Sequence, residues 1–170
     1  VIATQAASDN PVIRLRDGRG VSVSAAQNTD ATDVERLIAA ADAPRAALYQ
    51  RIAAAHDERV LALAAREHES GRLVGFIACS RSGELAGVVD PEYRGIGLGT
   101  LLLHQAAEHA RDAGIEALEV ELHPGAEETA EMLRDAGLAT QWDIDFPVTR
   151  VKLMLGRERP GWATPKPQAG

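Results

Sequence analysis

There is one cysteine in this chain, Cys79, so no internal disulfide can form. A small domain that depends on cross-links is excluded, and a reducing compartment, the cytoplasm, is the expected setting. Aromatic residues make up only 4% of the sequence, which leaves little material for a tight aromatic pocket. No apolar run approaches the roughly 18 residues of a membrane span, and no secretory signal is visible. Basic residues are outnumbered: 18 Lys and Arg against 25 Asp and Glu give a formal net charge of −7. Without a basic stripe to neutralise phosphates, general nucleic-acid binding is excluded. A small anionic ligand is not, because one local group of donors suffices for it. His104 and His109 fall on one predicted helix at a spacing unsuited to a shared metal, and no metal site is expected.

What is present is a chain of 170 residues, enough for one domain with a proper core. Residues 1–10, "VIATQAASDN", show no periodicity and read as a loose arm. The tail 157–170 is rich in Pro and Gly and reads as a linker, which leaves 11–156 as the folded domain.

Alternating residues on both sides of Asp17-Gly18 predict a β-hairpin. Thr32 and Glu35 have the spacing of a capping box, ahead of a helix carrying Val34, Leu37, Ile38 and Ala41. Pro44 can open a second helix with Leu48, Ile52 and Ala55. "RVLALAA" and "RLVGFIACS" then form a second hairpin, and "ELAGVVD" a further strand. Gly97 to Ala113 is a long helix with Leu98, Leu101, Leu102, Ala106 and Ala110 on one side. "EALEVEL" is a strand, "AEETAEMLRDAG" a helix, and "TQWDI" with "TRVKLML" a closing hairpin around Phe146-Pro147. The order predicts an α+β fold: a mixed, mostly antiparallel sheet flanked by about four helices, its parallel part around "ELAGVVD" and "EALEVEL".

Between that strand and the long helix stands Arg94-Gly95-Ile96-Gly97-Leu98-Gly99. The first amides of a helix lack internal partners, and the dipole makes that end partly positive. Glycines admit positive φ and the close approach of a ligand, Arg94 adds a charged fork, and Thr100 adds a hydroxyl. Together these form a cradle for an anion, most naturally phosphate. The lysine of a nucleotide-triphosphate loop is absent, and the loop follows a late strand rather than the first of a repeated βαβ series.

"VVDPEYRGIGLGTLLL" resembles the acetyl-CoA-binding motif of the GNAT superfamily of N-acetyltransferases, Arg/Gln-x-x-Gly-x-Gly/Ala, and the order of elements is similar to that family's. The resemblance covers roughly Val12 to Leu155. It implies that amides from Gly95 through Ile96, Gly97, Leu98 and Gly99 to Thr100 hold the CoA pyrophosphate. Strand residues Gly87, Val88 and Val89 would pair with pantetheine and orient the thioester. Acetyl-CoA is then the cosubstrate and an amine the acceptor.

A lysine amine with pKa about 10.4 must lose its proton before attack, which costs roughly 4–5 kcal/mol at pH 7. Glu84, ten residues before Arg94, opens the strand that ends in the cradle. In the bacterial protein-lysine acetyltransferase branch that the chain resembles, the catalytic glutamate stands at this strand position. Glu121 on "EALEVEL" is its rival, since other family members place their base there, and His123 is a candidate proton relay. No cysteine stands where a nucleophile would, so direct attack is expected.

Two positions depart from the family pattern. The Asn and Tyr found in many members fall here on Ala126 and Leu133, so no side chain fills the role of acid to the departing thiolate. The usual Phe after the glycine is Leu138. The expected function is transfer of acetyl to a primary amine, foremost a protein lysine. The alternatives are a small-molecule amine acceptor, or a non-catalytic acyl-CoA-sensing domain of a larger protein. "EVELHP" and "ATQWDID" offer a surface for a homodimer.

Overall fold

In the computed structural model, which describes residues 10–27, 30–40 and 59–156, the alternation around Asp17-Gly18 folds back as expected. Strand β1 (Ile13–Arg14) pairs antiparallel with β2 (Gly20–Ala25), Ile13 opposite Val21. β3 (Arg59–Glu67), β4 (Leu73–Ser80) and β5 (Leu85–Val89) follow, giving a five-stranded antiparallel sheet in the order β1-β2-β3-β4-β5. "LVGFIACS" is a continuous apolar run because β4 is buried along its whole length. Phe76 and Ala78 enter one core, and Ile77 and Cys79 the other.

Helix α1 (Ala31–Ala39) covers the first face, setting Leu37 against Phe76 and Val88 in that core with Val34 and Ile38 beside it. Burying one such leucine contributes about 1.5–3 kcal/mol. Its start differs from the expected capping box. Asp30 is the N-cap, with no side-chain bond to the helix, and Thr32 lies inside the first turn. The Asp30 carboxylate is taken by the Gln27 amide at 2.7 Å and by Arg66 of β3, which also reaches Asp33. These ion pairs tie α1 to the sheet. The helix expected after Pro44 lies outside the described residues, as do residues 1–9 of the arm and the tail 157–170.

Helix α2 (Leu98–Asp112) covers the other face, burying Leu98, Leu102, Leu103, Ala106, Ala107 and Ala110. Leu101 is only half-buried. Strand β6 (Ala117–Leu122), helix α3 (Glu127–Asp135) and the hairpin of β7 (Ala139–Asp145) and β8 (Val148–Met154) complete the chain, and the strands form a second antiparallel sheet in the order β6-β8-β7. Leu118, Leu122, Leu133, Val151 and Leu153 join α2 in one core.

The two sheets meet at one point. Glu84 and Glu119 form an isolated parallel bridge, and the Glu119 N–H donates to the Gly83 carbonyl at 2.8 Å. The parallel part expected between "ELAGVVD" and "EALEVEL" is this bridge. Past it β5 and β6 separate, and β5 has no further strand on that side among the described residues.

Candidate active site

The strand leaves the sheet through a fastened turn. Asp90 adopts the extended backbone that a following proline requires, and its carboxylate accepts from the Glu92 N–H at 2.9 Å. Pro91–Tyr93 form one 3-10 turn. The buried Tyr93 hydroxyl donates to Glu67 at 2.6 Å, and Arg19 of the β1–β2 turn lies 3.9 Å from the centre of the Tyr93 ring. Burial, reinforced by the neighbouring carboxylate, raises the Tyr93 pKa, so the phenol stays a donor. Hydrogen bonds from Ser70 and then Tyr93 lower the Glu67 pKa. Arg72 bridges Asp90 at 3.3 Å and Glu92 at 3.2 Å.

Within the loop the three glycines have separate reasons. Gly95 and Gly97 take φ of 73° and 98°, and no atom lies within 4 Å of where a Gly95 Cβ would stand. Gly97 is the left-handed N-cap of α2, and its carbonyl accepts the Leu101 N–H at 3.0 Å. The amides of Leu98, Gly99 and Thr100 therefore precede the first intrahelical bond and have no helical partner. At Gly99 a Cβ would stand 2.9 Å from Met132 Sδ, so this glycine serves the packing of α2 on α3. Leu98 itself is fully buried and offers the site only its main chain.

On β5 the ladder decides which groups face outward. Ser80 N–H donates to Glu84 O at 3.0 Å and Asp90 N–H to Val74 O at 2.8 Å. Antiparallel bonding alternates, so Ala86 and Val88 also turn their polar groups to β4. Gly87 and Val89 present theirs to the open edge. Of the three residues expected to pair with a ligand, Val88 is turned inward, with its side chain buried under α1.

Glu84 is exposed at the bridge end of β5, on the same face as Ala86 and Val88 by alternation. On β6, Leu118, Val120 and Leu122 face the α2 core, which sends Glu119 and Glu121 to the opposite face, the one Glu84 occupies. Glu121 is mostly buried, with Arg150 Nε at 3.6 Å and His123 Nε2 at 3.7 Å. Leu133 is core, and Ala126 is half-buried at the N-cap of α3. Burial pushes the Cys79 thiol up to about 11, which makes it a poor nucleophile. Among the described residues no three His, Cys, Asp or Glu are grouped to hold a metal ion, and no helix is long and apolar enough to cross a membrane.

A strand edge left open beside a glycine-lined helix start suits an extended ligand with an anionic end. The profile of the Acetyltransferase (GNAT) family matches residues 27–137, well over half of the chain. The chain belongs to the GNAT acetyltransferase family. It is an acetyl-CoA-dependent acetyltransferase. No curated protein matches it in sequence. Its fold is similar to the GNAT domain of S. lividans PAT, with 20% identity over 85% of this chain and 96% of that one, and a TM-score of 0.70. The ribosomal-protein-S18-alanine N-acetyltransferase of Escherichia coli gives 14% identity, 83% and 97% coverage and a TM-score of 0.64. Salmonella typhimurium yncA, solved with its cofactor acetyl-CoA, gives 18%, 82% and 96%, and 0.57.

The residues at the acetyltransferase's loop fit such a cosubstrate. Arg94 Nη2 is buried with no hydrogen-bond partner, a donor position that a phosphate oxygen would satisfy. Gly97→Ala tests the loop. Alanine at a φ of 98° is strained by about 1–2 kcal/mol, so the loop should relax away from its cradle shape. Calorimetric titration is expected to show acetyl-CoA binding weakened by about tenfold. An unchanged affinity would remove this turn from the site.

Proposed function

We propose that this acetyltransferase acetylates a primary amine, foremost the side chain of a protein lysine, by direct attack with Glu84 as general base. The observation that carries the proposal is the open edge of β5, which runs from the glycine-rich loop to Glu84. Acetyl-CoA supplies the activated acetyl group. The loop amides and Arg94 hold its phosphates. The outward N–H and C=O groups of Gly87 and Val89 align its arm by strand-like pairing. Glu84 takes a proton from the acceptor ammonium, directly or through water. The neutral amine then attacks the thioester carbonyl, the C–N bond forms as the C–S bond breaks, and CoA leaves as its thiolate. Glu121, flanked by Arg150 and His123 on β6, is the rival carboxylate.

Two points support a protein acceptor. Glu84, Glu119 and Glu121 share one face, which favours a cationic segment. The fold also accommodates protein acceptors, as the name of the E. coli neighbour states. Support for the homodimer is slighter, resting on Ile144 and Phe146, which stand exposed on the β7–β8 hairpin.

The test is release of CoA from acetyl-CoA across a panel of lysine peptides, polyamines and amino acids. Lysine peptides are expected to give the highest kcat/KM. Release with small amines alone would overturn the protein acceptor.

A further inference from the structure

Besides Arg94, three arginines touch the glycine-rich loop or the turn before it, and Arg14 precedes them on β1; all but Arg16 are committed. Arg14 Nη1 donates to the Gly18 carbonyl at 3.0 Å. Arg19 is paired with Asp17, donates to the Glu92 carbonyl at 2.6 Å and lies over the Tyr93 ring. Arg72 is paired with Asp90 and Glu92. Arg16 differs from all three. Its main-chain N–H donates to the Ile96 carbonyl at 3.2 Å, which sets the β1–β2 turn against the loop. A methyl group built on Gly97 would come within 3.8 Å of its Nε, so the guanidinium lies beside the N-cap of α2. Yet its exposed side chain has no hydrogen bond or ion pair among the described residues.

A cation is misplaced there if nothing else binds. The N-terminus of a helix carries roughly half a positive charge, and a guanidinium beside it is repelled. Arg94 Nη2, also without a partner, is a second uncompensated donor on the same loop. The chain as a whole is acidic, with a net charge of −7, so this uncommitted positive charge runs against its general balance. An anion beside Arg16 and the free amides would turn that repulsion into an attraction, and Arg supplies the forked donors that phosphate oxygens accept.

We propose that Arg16 is a further phosphate ligand for CoA, closing the cradle from the β1–β2 hairpin. The inference rests on the reading that the loop holds CoA phosphates. The shared chemistry is a phosphate group, either of the pyrophosphate or of the ribose 3′-phosphate.

The experiment is calorimetric titration of the wild-type protein, R16Q and R16K with CoA and with 3′-dephospho-CoA, at low and high salt. R16Q is expected to bind CoA about tenfold more weakly and with a flatter salt dependence. R16K should recover part of the loss, having the charge without the fork. A loss that persists with 3′-dephospho-CoA assigns Arg16 to the pyrophosphate, and one that disappears assigns it to the 3′-phosphate. Ligand-free R16Q should melt at or slightly above the wild-type temperature, since a misplaced cation has gone. A lower Tm accompanying the affinity loss would mark mere support of the hairpin and overturn the assignment. R16Q binding CoA like the wild type would overturn it while leaving the cradle intact. A wild-type protein that binds no CoA would overturn the cradle, and Arg16 with it.

Discussion

Glu84→Gln is expected to lower kcat for amine acetylation by about 10²–10⁴-fold, the usual worth of a positioned general base. Its affinity for acetyl-CoA should stay close to that of the wild type, because Glu84 stands at the bridge end of β5, away from the loop. Glutamine keeps the size and most of the hydrogen-bonding capacity of the carboxylate but cannot take a proton. A large fall in kcat with unchanged affinity would therefore separate proton removal from binding. Glu121→Gln is the comparison. Its carboxylate sits between Arg150 and His123, so its replacement should unsettle that trio and reduce activity far less. If Glu121→Gln gives the larger loss and Glu84→Gln almost none, the base is on β6 and the assignment is wrong.

The second large effect concerns stability. Gly83 has a φ of 92°, and a Cβ there would fall well inside contact with the Ala117 main-chain carbonyl oxygen. Main chain cannot swing aside as a flexible side chain can, and this is where the two sheets join. Gly83→Ala is expected to destabilise the fold by about 2–4 kcal/mol, from the strained φ and the displaced junction together. For a chain of this size that lowers Tm by roughly 5–15 °C. Gly18→Ala is the control. Its φ of 89° is similar, but nothing lies within 4 Å of the added atom, so it should cost only about 1 kcal/mol. Equal losses at the two positions in thermal unfolding would mean that the junction yields freely.

The parts of the fold and of the site were not equally visible in the sequence. The glycine-rich loop was legible because positive φ at Gly95 and Gly97 restricts the residue type, and an arginine before them adds charge. Gly99 looked the same as they do, and only Met132 across the helix pair shows its different reason. The hairpins and helices were legible from their periods. The start of α1 was not, because Asp30 is claimed by Arg66, a partner 36 residues away, while Thr32 and Glu35 carry the local signature. Arg14, Arg16 and Arg19 lie along one hairpin with nothing in the sequence to rank them. Only the docking of that turn on Ile96 and Tyr93 sets Arg16 apart. The opening between the sheets was hidden for a similar reason. "ELAGVVD" and "EALEVEL" both read as strands, and strand propensity does not say how far two strands stay paired.

The alternation along β5 has one more consequence. Its outer edge acts through N–H and C=O, which every residue except proline provides. Side chains on this strand are thus chosen by the two cores they enter: Leu85 and Val89 by one, Ala86 and Val88 by the other. The vocabulary of the strand belongs to the interior, and its grip on a ligand is written in the part of the chain that all residues share. Homologous strands can drift in composition without loosening that grip, so long as none of the outward positions becomes proline.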